Sequence, residues 1–133
     1  MTSPEPPPAV TDEELLARFL LFSRWVREDR TLRPDGFMPS ADTELSVTRH
    51  RGLSEMALWQ IGQAVADARL RATLYGRADL KAVDARRQRL RVDAAPLPAN
   101  RNHANITGWP PEKPAQKIVA IVLAASAAFV ARD

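Results

Sequence analysis

Cysteine is absent from the chain. That excludes a disulfide framework, a thiolate nucleophile and a cysteine-ligated zinc site. His50 and His103 are the only histidines, so a zinc site would have to lean on carboxylates, an uncommon donor set. No metal is expected. The five glycines are scattered singly, and there is no Gly-x-Gly-x-x-Gly, no Walker loop and no Gly-x-Ser-x-Gly elbow. A glycine-built nucleotide cradle is therefore not expected, and neither is any cofactor. Tyr75 is the only aromatic within the basic middle of the chain, whereas proteins that stack single-stranded bases interleave aromatics with their cations. Long hydrophobic runs are missing too. The apolar stretch after Lys117 falls short of the ~20 residues that cross a bilayer. The start is Pro-rich and acidic, unlike a secretory leader. A cytoplasmic protein that does not enter a membrane is expected.

What is present fits a folded domain. The 133 residues are 45% hydrophobic and 26% charged, enough for one core. Sixteen arginines and three lysines make up the 19 basic side chains and leave a net charge of +3. The charge is uneven. Residues 1–29 hold six acids against three arginines, while residues 69–91 hold eight basic groups against Asp79 and Asp84. This basic flank is the main hint of an acidic partner.

Along the chain, residues 1–10 read as a disordered Pro-rich tail and residues 11–133 as a single α+β domain. Thr11-Asp12-Glu13-Glu14 has the form of a capping box. Leu15, Phe19, Phe22 and Val26 follow it at helical spacing, predicting a helix to about Asp29. Glu44–His50 alternates and reads as a strand. Ser54 can cap a second helix to about Leu70, with Leu58, Ile61, Val65 and Ala68 buried and Gly62 permitting a close approach. Ala78–Val83, Arg89–Ala94 and His103–Gly108 read as strands, the first two joined as a hairpin. A last helix starts in the proline cluster Pro110, Pro111 and Pro114 and includes Phe129 and Val130. It is apolar on most sides, so it should be buried. The fold expected is a small antiparallel sheet of about four strands with three helices, in the order α-β-α-β-β-β-α, the helices mostly on one face.

Three groupings could carry chemistry. His50 and His103, with Arg49 and Asn105, could exchange protons across a phosphate that an arginine steadies. Asp79-Leu80-Lys81 has the acid-x-lysine form used by metal-dependent nucleases, which would need a further acid such as Asp93 on a neighbouring strand. Arg86, Arg87, Arg89 and Arg91 could follow a phosphate backbone or meet an acidic protein surface. For each there is a plainer reading: a strand-end histidine bonded to backbone, a chance tripeptide, a solvated basic surface.

The segments Phe37-Met38-Pro39-Ser40, Glu44-Leu45-Ser46-Val47-Thr48-Arg49 and His103-Ala104-Asn105-Ile106-Thr107-Gly108-Trp109-Pro110 resemble a pattern in small uncharacterised bacterial proteins. The resemblance spans roughly residues 30–125. It implies genes that sit beside larger conflict or phage-defence genes, with no known activity and no residue roles. The expectation is a non-catalytic accessory or interaction protein that docks a protein partner. Nucleic acid is a further candidate partner through the basic flank. The small-residue run Ala124–Ala128 leaves room for a second copy of the chain. The alternative is a small nuclease or phosphate-handling enzyme built on His50, His103 and Arg49.

Overall fold

Leu15-Leu16-Ala17-Arg18-Phe19-Leu20 is apolar on both sides of its backbone, as a strand covered on both faces must be. In the computed structural model, which describes residues 7–132, this run is strand β1 (Leu15–Leu20), not a helix. It is an inner strand of the sheet. The remaining elements are β2 (Leu45–Arg49), α1 (Glu55–Asp67), β3 (Gly76–Lys81), α2 (Ala82–Arg86), β4 (Arg91–Ala94), β5 (His103–Thr107), α3 (Lys113–Ser126) and β6 (Ala128–Ala131). Single 3-10 turns at Ser23–Trp25 and Pro34–Phe37 fill the long link from β1 to β2.

The α+β class, the single antiparallel sheet and the number of helices agree with expectation, although the first expected helix is β1 and α2 was not expected. The sheet, however, has six strands rather than about four, in the order β4-β5-β2-β1-β3-β6. Every neighbouring pair is antiparallel. The chain order is β-β-α-β-α-β-β-α-β. Two strands account for the difference: β1, expected as helix, and β6, expected as the end of the last helix. The hairpin between β3 and β4 is also corrected. These strands lie three strands apart, and the connection between them includes α2, whose Ala82 and Ala85 are buried.

Register sorts the side chains into two faces. Asp79 pairs with Ala17, Ala17 with Thr48, and Thr48 with His103, so these four form a row on one face. Arg77 and Phe19 are paired in an adjoining row on that face. α1 packs here: a Cβ on Gly62 would fall 2.6 Å from the Phe19 ring, so only glycine allows the contact. The opposite face carries Leu16, Leu20, Leu45, Val47, Leu80, Val92 and Ile106, all buried. Phe129 pairs with Ala78 on that second face and lines a groove with α3. The helices thus sit on both faces, not mostly on one.

α1 buries Leu58, Gly62 and Ala66, a stripe rotated from the expected one, and leaves Val65 exposed. Its Ser54 cap is in place, accepting from the Ala57 amide at 3.1 Å. α3 buries Gln116, Ala120, Leu123 and Ala124, but it is not enclosed. Ile118 is 65% and Ile121 49% exposed. Of the expected tail, residues 1–6 lie outside the described residues. Residues 7–10 are held to the body: Val10 is buried, and the Pro8 carbonyl accepts from Arg49 at 2.9 Å.

Candidate functional site

Arg49 ends β2 facing the same side as Leu45 and Val47, and it is only 3% exposed. A buried guanidinium needs a counter-charge, and Glu14 supplies one through two bonds of 2.8 Å. Burial would raise the Glu14 carboxyl. The bonds from Arg49 and from the Thr11 amide outweigh it and hold the group below its usual value. Asn102 closes the corner, its Nδ2 donating to the Arg49 and Arg51 carbonyls at 2.9 and 2.6 Å.

His50 faces the other way. Its Nε2 meets Asp79 Oδ1 at 2.8 Å, across β1 at the position of Ala17, a side chain small enough to leave the path open. Asp79 also receives Arg77 Nε at 3.0 Å, while the two Nη atoms of Arg77 donate to Glu55 on α1 at 2.8 and 2.9 Å. The Trp59 ring lies 4.7 Å from the Arg77 guanidinium. Burial works to raise the Asp79 carboxyl, but His50 and Arg77 pull it below the ordinary range. Burial likewise works against the Arg77 charge, and Glu55 and Asp79 more than restore it. The assembly is closed, each charge answered by another, and it fastens the first turn of α1 to the sheet.

His103 is bound elsewhere. Its Nδ1 lies 2.8 Å from the Ala95 carbonyl and its Nε2 3.1 Å from Ser46 Oγ. A carbonyl can only accept, so Nδ1 carries a proton, and a neutral ring takes the Ser46 proton through Nε2. His50 and His103 share a sheet face, but His50 is bonded to Asp79 on β3, while His103 is bonded between the Ala95 carbonyl after β4 and Ser46 on β2. Arg49 lies on the opposite face. Register places Asn105 between Ser46 and Asp93. The structure does not bring the expected phosphate-handling set together around one point. Asp79 and Asp93 are likewise divided by β1, β2 and β5, and Lys81 reaches Glu13 at 3.6 Å. Among the described residues, no group of three or more His, Asp or Glu side chains could hold a metal ion.

The basic flank is dispersed by folding. Arg77 is buried in its carboxylate clamp. Arg86 pairs with Asp12 at 2.7 Å and donates to the Val10 carbonyl, and Arg87 lies 3.7 Å from Asp84. Arg89 and Arg91 are exposed at the start of β4.

Two surface features were not foreseen. The first is the exposed side of α3, where Ile118 and Ile121 are open to solvent and Ile121 lines a groove of about 450 Å³ with Ala124, Ala125, Phe129, Arg27 and Arg30. The visible signal was the apolar content of the helix itself, more than one buried face can use. The second is Arg18. The signal there was a lone charge in the apolar run Leu15–Phe22. Among the described residues, no helix is long and apolar enough to cross a membrane. Comparison with known protein families, curated protein sequences and solved structures finds no match to this chain.

Proposed function

We propose that the chain is a non-catalytic interaction protein that captures an extended segment of a protein partner along β6 and the adjoining side of α3. The observation that carries this reading is the pair Ile118 and Ile121, three residues apart on one helix side and exposed at 65% and 49%. Beside them runs the sheet edge Ala128-Phe129-Val130-Ala131, with β3 as its one neighbour in the sheet. An edge strand without charge or proline can accept another strand. The other edge, β4, has Arg91 and Asp93 in its four residues and Pro96 shortly after. Arg27 and Arg30 line the groove and neither meets a carboxylate among the described residues. Arg27 Nη1 is spent on Thr31 Oγ1 and the Leu32 carbonyl. A segment alternating apolar and acidic residues complements this surface. An accessory role beside larger defence or conflict proteins needs no more than such a capture surface.

The alternative, a small nuclease using His50, His103 and Arg49, is disfavoured by the separate partners that hold the two rings and by the engagement of Arg49 with Glu14. The test places a photoreactive amino acid at Ile121 or, as a control, at the exposed Met56 of the full chain in its host cell. A discrete adduct from position 121 only, whose crosslinked segment then binds the purified protein and loses at least about tenfold affinity with Ile121→Glu, supports the proposal. Equal labelling at both positions, or an adduct solely with a second copy of the chain, overturns it.

A further inference from the structure

Four arginines are buried or half-buried among the described residues: Arg18, Arg49, Arg77 and Arg86. Arg49 has Glu14, Arg77 has Glu55 and Asp79, and Arg86 has Asp12. Arg18 has no carboxylate partner among the described residues. Its Nε donates to the Gly36 carbonyl at 2.8 Å and its Nη1 to the Ser46 carbonyl at 3.1 Å. Its guanidinium lies 5.3 Å from the centre of the Trp25 ring. Carbonyls satisfy protons but do not cancel the charge.

The position of Arg18 follows from the sheet. β1 and β2 pair only at Leu16↔Arg49 and Ala17↔Thr48. Beyond that point the strands part, and Arg18 spans the opening. A cavity of about 380 Å³ lies there, its walls including Arg18, Arg69, Trp25, Met38, Ser46 and Val65. Arg69, just past the end of α1, is exposed, rests 5.1 Å from the Phe22 ring and has no ion pair among the described residues. The cavity therefore holds two guanidinium groups without a carboxylate partner. Of its two acids, Asp35 is taken by Lys117 at 3.2 Å, and Glu44 is exposed. Burial and the Arg69 charge push the Arg18 pKa down to about 10. An unmatched cation held out of water is costly, and a bound anion removes that cost.

We propose that the opening between β1 and β2 binds a small organic molecule through a phosphate-like dianion held between Arg18 and Arg69. Two guanidiniums lining one cavity favour a doubly charged oxyanion over a monocarboxylate. The cavity volume lies within the roughly 300–1,000 Å³ typical of small-molecule sites, and Leu21, Trp25, Met38 and Val65 offer apolar wall for an organic portion. This site is separate from the α3 and β6 surface, so either proposal can fail alone.

The probe is inorganic phosphate, titrated into the full chain at fixed ionic strength, with acetate in parallel. Binding is read from backbone amide shifts and from the Arg18 Nε–H resonance. Saturable shifts confined to Arg18, Ser46 and Arg69, stronger for phosphate than for acetate, are expected. Arg69→Met, at an exposed position that need not disturb folding, weakens phosphate binding by about tenfold, the worth of one charged hydrogen bond. Arg91→Met removes the same charge at the far edge of the sheet and leaves binding unchanged. Glu44→Gln tightens it. Shifts that do not saturate, that spread over all exposed arginines, or that fall equally in Arg69→Met and Arg91→Met overturn the proposal.

Discussion

Arg49 and Arg77 lie on β2 and β3, and Arg18 lies on the strand between them. The outer two are gripped by carboxylates, one on each face of the sheet, and the middle one by carbonyls alone. The regions differ in what their charge is for. Around Arg49 and Arg77 each cation is matched, nothing is left to offer a ligand, and the groups join distant parts of the chain. Around Arg18 the hydrogen bonds are made but the charge persists, which distinguishes a place that can recognise something from a place that only holds.

The sharpest way to break this contrast is to damage a matched pair. Glu14→Gln leaves Arg49, almost fully buried, without its counter-ion. Loss of one partner of a buried pair costs roughly 3 kcal/mol or more. Urea unfolding should show the loss as a lowered midpoint with an unchanged slope. A variant as stable as the parent would mean that Arg49 is no better matched than Arg18.

Glu14 also shows why part of the fold was hard to read. Thr11-x-x-Glu14 makes half of the expected box, with the Thr11 amide donating to Glu14 at 2.7 Å, but in a turn that leads into a strand. The local chemistry was legible, and the element after it was not. Leu15–Phe22 satisfies the helical period and a doubly buried strand equally well. Only pairing with β3, some sixty positions along the sequence, decides between them. His103–Thr107 alternates cleanly and was legible as a strand. β6 was hidden because Ala127-Ala128 continues a run of helix-favouring residues. The backbone nevertheless turns extended at Ala127, with φ −85° and ψ 152°. Of the candidate site residues, types and faces could be read, but which side chains meet is set by strand order, and that is a long-range property.

Acid should expose the same contrast with a smaller effect. Glu14 and Asp79 have folded values below their ordinary 4.5 and 3.8. Each contributes stability that is complete above the ordinary value and is lost as pH falls through the folded one. The urea midpoint should hold between pH 7 and 5 and drop below about pH 4. In a Glu14→Gln/Asp79→Asn variant the curve should start lower and run flatter. A parental curve with no acid limb, or an unchanged limb in the variant, would detach these carboxylates from stability.

The smallest effect is expected at Arg18, and its sign separates the two kinds of arginine. Arg18→Met gives up two hydrogen bonds to carbonyls, but it also removes a charge that has no ion pair among the described residues. The two changes act in opposite directions, so in phosphate-free buffer the variant should stay within about 1 kcal/mol of the parent. Methionine preserves the apolar stem of the side chain, so packing changes little. Saturating phosphate should then separate them, raising the melting temperature of the parent and leaving that of Arg18→Met where it was, because a ligand stabilises only the state that binds it. A loss at Arg18→Met as large as that at Glu14→Gln, with phosphate making no difference to either protein, would place Arg18 among the structural cations and leave the opening between β1 and β2 as a consequence of strand splay.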